Sequence, residues 1–357
     1  MSGNSWLTVS QWFIAAENPP HLAAIAPWEG FSDHYRETSH NGGILTPEFP
    51  ELIAETFSSK NGLLEDQPRM IVDYPFLNEY WEDKIAQLEK IKISAYVVAS
   101  YQNPVHTYGT FMGYRKIQSK DKWLRVHLTQ EWNDYYNPEN VEDLRKFFDF
   151  YLKGEKNNWP ETPKVRLSVY DLEGGDVINR AENEFPLKRT KYTKLFLDAA
   201  NKNLFNKIIS AQSSAEYDSE SENSEIIFQH KFEKETELTG YMKLHLWVSA
   251  LDNDDMDLKV KIEKISADGK VLNQNNFGGV SADGQLRISC RKLDEKNSTE
   301  FQPILDGKSE QKILGGDSEE VADENEVVHS PQTHNKGRHK FYTGGKYDSY
   351  LLIPVIE

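Results

Sequence analysis

The sequence predicts two domains: a parallel α/β sheet carrying a helical insertion, then an all-β sandwich. Three observations support this. Short continuous apolar runs alternate with helical patterns as far as residue 160, whereas from Lys164 short alternating strands are separated by Gly, Asn, Asp and Ser. The length of 357 residues also exceeds what one core usually holds, since single cores stop growing at roughly 250 to 300 residues. The expected domains are therefore 1–160 and 161–357.

In chain order, Trp6, Val9, Trp12, Phe13 and Ala16 recur at helical spacing after Ser5, and Asn18-Pro19-Pro20 ends a helix expected over 6–17. The run LAAIAP at 22–27 is short, continuous and closed by Pro, which suits a strand buried on both faces. Residues 36–91 are mainly helical in pattern: PEFPELIAETF has Pro47 near its start, and LNEYWEDKIAQLEKI sets Leu77, Tyr80, Trp81, Ile85, Leu88 and Ile91 on one face. That insertion reads either as a cap over an active site or as two packed helices. AYVVAS at 95–100 and WLRVH at 123–127 are further strands, with a helical stretch to 117 between them. ENVEDLRKFFDFYLKG is an amphipathic helix burying Leu144, Phe147, Phe148 and Tyr151 and ending at Gly154. KVRLSVYD, TKLFLDA, EIIFQHKF, YMKLHLWVSA, LKVKIEKI and QLRISC then supply the sandwich. The charge-rich segments at 213–225 and 317–326 read as solvated loops.

Composition narrows the function. With 41 Lys and Arg against 57 Asp and Glu the net charge is -16, which repels phosphate backbones and anionic lipid, so neither nucleic acid nor membrane is an expected partner. Cys290 is the only cysteine, so no intrachain disulfide is possible, which fits the cytoplasm. No apolar run reaches the length of a membrane span, and the first residues lack the pattern of a signal peptide.

The chemistry centres on GNSWLTVSQW at 3–12. Serine hydrolysis needs a nucleophile on a tight turn, a histidine to take its proton and an acid to hold the imidazole, in the chain order Ser, acid, His in one common arrangement. Ser5 precedes a helix, Asn103 follows the strand AYVVAS, and His127 closes the strand WLRVH. His21, His34 and His106 compete with His127 for the histidine role. No cofactor is required. Asp252, Asp254, Asp255 and Asp257 cluster within DNDDMD, but without the Gly and closing Glu of a calcium loop.

GNSWL, QWFIAAENPPHLAAIAPWEGFSDHYRET, NPVHTYGTF, KWLRVHLTQEWNDYY and GGKYDSYLLIPVI together resemble the cocaine esterase and Xaa-Pro dipeptidyl-peptidase (CocE/NonD-type) family of serine hydrolases, on the side of its fungal acyl-hydrolase branch. The resemblance runs from Gly3 to the C-terminus and is specific in the first 171 residues. It implies an α/β-hydrolase domain with a helical cap, followed by a jelly-roll sandwich of galactose-binding-like type. Carried over, the family's G-x-S-Y-x-G elbow falls on Gly3, Ser5 and Trp6, with Thr8 in place of the last Gly. His127 becomes the histidine and Asn103 the acid position. Beside the resemblance, the sequence itself offers Asp134, seven residues past His127, as a substitute acid, and the backbone N–H of Trp6, directly after the nucleophile, as an oxyanion donor.

Two departures shape the expectation. A neutral Asn103 cannot stabilise an imidazolium, and the family's tyrosine oxyanion donor comes from a region preceding the elbow. Only four residues precede Ser5, so the resemblance implies an N-terminally truncated chain with part of its sandwich also absent. The strand LAAIAP is then expected to expose an unpaired edge and to promote self-association into a homo-oligomer. Two functions remain open. One is an acyl esterase or dipeptidyl-peptidase acting on a small ester or peptide; the other is a catalytically silent relative serving as a binding protein.

Overall fold

The computed structural model describes residues 1–59, 61–222, 224–272, 282–311 and 336–356, in two compact units. The first comprises 1–41, 45–185 and 260–284, and the second 42–44, 186–259 and 285–357. The expected loop at 317–326 lies outside the described residues.

The first unit is built on a six-stranded sheet whose spatial order is its chain order: β1 (Ser2–Asn4), β2 (Ala24–Trp28), β3 (Ser94–Ser100), β4 (Lys122–His127), β5 (Val165–Val169) and β6 (Val177–Glu182). The first five strands are parallel, and β6 returns antiparallel on β5. Helices α1 (Trp6–Ala16), α2 (Glu48–Phe57), α3 (Gln67–Asp73), α4 (Glu79–Glu82), α5 (Thr107–Lys116), α6 (Glu131–Tyr135) and α7 (Pro138–Lys153) fill the connections. All five residues of β2 are buried, as a central parallel strand requires. Trp28, Tyr96, Trp123, Phe147 and Trp159 form an aromatic core on one sheet face, against which Leu144, Phe148 and Tyr151 of α7 pack. Gly154 closes α7 in the left-handed conformation, at φ 69°.

Three expectations change here. First, the edge of β2 is covered. Ser2–Asn4, directly before Ser5, form β1, which pairs Ser2 with Ala26, Gly3 with Pro27 and Asn4 with Trp28. Second, KVRLSVYD is no sandwich strand. It forms β5, beside β4, because Val165 and Leu167 are fully buried on that sheet. Third, the helix expected through residues 77–91 is only the single turn α4. Beyond it the chain pairs with the segment following β2: Ala86 N–H donates to Ser32 O at 2.8 Å, and Asp33 bridges Ile85. Leu88, in a short 3-10 turn over Leu88–Lys90, and Ile91 are buried all the same, so the apolar pattern is satisfied without a continuous α-helix.

The second unit is β-sandwich-like. One sheet orders β8 (Asn203–Phe205), β7 (Thr190–Asp198), β14 (Tyr350–Ile356) and β10 (Glu237–Leu238), with β11 (Lys243–His245) also on β14. Another orders β9 (Ser213–Asp218), β13 (Arg338–Thr343) and β12 (Trp247–Ala250). β9 occupies what was expected to be a loop; Tyr217 draws it into the sheet by stacking on Phe341, with ring centroids 5.7 Å apart. EIIFQHKF contributes only a bridge from Gln229 to Asn203. The aspartates of DNDDMD are engaged within this unit: Asp252 with Arg338, Asp257 with Arg287, and Asp255 with Ser289. Among the described residues, no helix is long and apolar enough to cross a membrane.

Candidate active site

The carboxyl ends of β1 to β4 lie side by side, and each delivers a polar residue: Ser5, Glu29, Ser100 and His127. Ligand sites of open parallel sheets form at that end. Ser5 sits between β1 and α1 at φ 58° and ψ -120°, a conformation rarely tolerated by a side chain and typical of a nucleophile elbow. The turn is held by its N–H, which donates to Glu29 O at 2.8 Å, and by its carbonyl, which accepts from Thr8 and Val9 N–H.

The sequence around the turn fits this geometry. A Cβ on Gly3 would lie 2.2 Å from Leu7 Cβ, so residue 3 must be glycine for α1 to start so close to the strand. Thr8, where the elbow pattern has glycine, is fully buried and ties the two strands together: Trp28 N–H donates to its Oγ1 at 2.7 Å, and that hydroxyl reaches Gly3 O at 2.7 Å. Room for the threonine comes from Gly30, where a Cβ would lie 2.6 Å from Thr8 Cγ2. The side chain of Trp6 is 36% exposed and packs edge-on against Phe31, at 5.3 Å between centroids.

The histidine that reaches Ser5 is His106. Its Nε2 is 3.0 Å from Ser5 Oγ, and it enters on the loop between β3 and α5. The ring is buried, Nδ1 has no side-chain hydrogen-bond partner among the described residues, and burial pushes the imidazole pKa down to about 4. His106 is therefore neutral near pH 7 and able to accept a proton.

His127 is engaged elsewhere. Its Nε2 is 2.6 Å from Glu29 Oε1 and 3.5 Å from Asp134 Oδ2, and its Nδ1 is 3.3 Å from Thr129 Oγ1. Glu29 is fully buried, and its other oxygen accepts from Ser100 Oγ at 2.7 Å. Asp134 is bound by both terminal nitrogens of the buried Arg125. Asn103 donates from Nδ2 to Glu131 Oε2 at 2.8 Å, and its Oδ1 caps Val105 N–H. Burial, reinforced by the charge of Glu29, raises the Glu131 pKa to about 7.

The residues read from the sequence thus divide. Ser5 and Trp6 occupy the elbow, His127 lies near it through Glu29, and Asn103 and Asp134 hold Glu131 and Arg125. Of the competing histidines, His34 bonds Gln67 and Thr38 beneath Phe31, and His21 is exposed. Glu29 was missed. Its signal was a charged residue directly after the apolar strand LAAIAPW, between Ser5 and His127 in the chain order that a triad uses.

Known protein families match two separate parts of the chain. Residues 1–63 match the model of the X-Pro dipeptidyl-peptidase (S15 family), and residues 157–323 match that of the X-Pro dipeptidyl-peptidase C-terminal non-catalytic domain. Two crystal structures of a CocE/NonD family hydrolase from Staphylococcus aureus superpose with a TM-score of 0.90 at 35% identity, covering 99% of this chain and 71% of that one. An aminopeptidase from a marine sediment archaeon, Thaumarchaeota archaeon, shares the fold with a TM-score of 0.67 at 14% identity, over 100% of this chain and 76% of that one. An α-amino acid ester hydrolase does so with a TM-score of 0.64 at 13% identity, over 99% and 76%. No curated protein matches the chain.

Proposed function

Because the chain belongs to the CocE/NonD family of hydrolases, we propose that it cleaves an ester or amide of a small molecule or peptide through an acyl-serine intermediate on Ser5. His106 Nε2 takes the hydroxyl proton as Ser5 Oγ bonds to the substrate carbonyl carbon. The N–H of Trp6 is then the oxyanion donor next to the nucleophile. His106 returns the proton to the leaving oxygen or nitrogen as its bond to carbon breaks. Water then attacks the acyl carbon and gives a proton to His106, which passes it to the departing Ser5 Oγ. The observation that carries this reading is the 3.0 Å contact of Ser5 Oγ with His106 Nε2 at a left-handed elbow residue. For the second unit we propose the jelly-roll arrangement that the sequence resemblance implies.

A second assignment gives the proton to His127, the position that the sequence resemblance selects. It is favoured by the 2.6 Å contact with Glu29, the kind of carboxylate partner that the Ser5-facing ring lacks. Asn103 and Asp134, each bound to another residue, are in either case helpers at a distance from Ser5.

The test is incubation of the folded chain with a fluorophosphonate probe. Stoichiometric labelling, lost in Ser5→Ala, is the expected result. A folded chain that takes no label would make it a silent relative acting as a binding protein.

A further inference from the structure

We propose that Glu29 is the positioning carboxylate of this site, standing in for the acid that Asn103 does not supply. The proposal rests on the hydrolase reading above and holds for either histidine.

Three contacts place Glu29 at the junction of the site. Its carbonyl accepts the N–H of Ser5 itself at 2.8 Å, so its backbone fixes the nucleophile turn. Its carboxylate receives Ser100 Oγ at 2.7 Å, and Ser100 is the root of the loop that carries His106: Gln102 N–H donates to Ser100 Oγ at 3.1 Å and Thr107 Oγ1 to Ser100 O at 2.9 Å. The remaining oxygen holds His127 at 2.6 Å. One residue therefore holds the nucleophile turn and His127 directly, and braces the His106 loop through Ser100.

Position and conformation point the same way. Glu29 directly follows the strand that succeeds the elbow helix, which preserves the order nucleophile, acid, histidine along the chain. At φ 55° it is one of few non-glycine residues in the left-handed region, a conformation that persists only where its surroundings enforce it and that concentrates at working sites. A fully buried carboxylate is costly unless paired, and exchanging it for an apolar residue of similar volume is often neutral or stabilising in a purely structural setting. A negative charge at this point does for a developing imidazolium what a neutral amide cannot.

The experiment measures fluorophosphonate labelling of the full chain, separating the limiting rate from the half-saturating probe concentration. Glu29→Gln keeps shape and hydrogen bonding but removes the charge. It is expected to slow the limiting rate by about 10³-fold, with half-saturation within about twofold. Glu29→Asp restores the charge and is expected to recover to within about tenfold of the parent. A Glu29→Gln chain labelled at the parental rate would overturn the proposal while leaving the hydrolase reading intact. So would a Glu29→Asp chain as slow as Glu29→Gln, since packing rather than charge would then be at stake. A folded parent that never labels would overturn the hydrolase reading and this proposal with it.

Discussion

His106 and His127 sit a few residues beyond or at the ends of adjacent strands, β3 and β4, yet their surroundings differ in kind. His127 belongs to a network of polar contacts running from Ser100 through Glu29 to His127, Asp134 and Arg125. His106 has Ser5 on one nitrogen and, among the described residues, no side-chain partner on the other, in surroundings where burial penalises its charged form. A network satisfied on every side gains rigidity and resists proton movement, whereas a neutral, singly bonded imidazole is ready to accept a proton but poorly held. The difference suggests a division of labour, with proton transfer on the His106 side and positioning on the Glu29 side.

The largest expected effect separates the two histidines directly. His106→Gln should lower the fluorophosphonate labelling rate by about 10⁴-fold, and His127→Gln by about 10²-fold. The reverse ranking would move the base to His127. The pH profile adds a second reading: the form of His106 that can accept a proton is the neutral imidazole, which predominates above about pH 4. Labelling by the parent should therefore persist on acidification through pH 6 and fail only on approaching about 4.

The next effect is on stability and breaks the compensated side alone. Asp134→Asn leaves Arg125 buried with a neutral partner in place of a carboxylate. Removing one member of a buried ion pair costs roughly 3 to 5 kcal/mol, and urea unfolding of the two chains measures it. His106→Gln should cost much less by the same measurement, because that ring has no charge to strand.

The contrast also explains what could be read from the sequence. Strand and helix identity in the first unit followed from apolar periodicity, so α1, β2, β3, β4 and α7 lie within a residue or two of the segments 6–17, 22–27, 95–100, 123–127 and 139–154. Ser5 was legible because a turn between strand and helix has a local glycine signature. The partner of Ser5 was not, because four histidines met the local criteria and only the path of the loop between Ser100 and Thr107 selects among them. Glu29 was hidden for a related reason: a charged residue after an apolar run reads as a strand end, and nothing in the sequence tells that three strands converge on it. The helix expected over 77–91 failed because backbone pairing with Ser32 and Asp33, remote in sequence, outcompetes a weak local preference.

The smallest expected effect concerns the residue that touches both sides. Glu131 accepts from Asn103, on the His106 loop, while its carboxyl is disfavoured as an anion by burial and by Glu29. Its folded pKa of about 7 lies above the ordinary value of 4.5, so between those values the folded chain binds a proton that the unfolded chain releases. Stability contributed by Glu131 is therefore present below about pH 4.5 and lost as pH rises through 7. His106 contributes with the opposite sign: its folded pKa lies below the unfolded value of 6.5, so stability falls as pH drops from there towards 4. Glu131→Gln should remove the first slope and leave the second. Its stability relative to the parent is then greater at pH 8 than at pH 5, as read from urea midpoints at the two values. An unchanged difference at both would mean that Glu131 is an ordinary carboxylate and that the two sides of the site do not communicate through it.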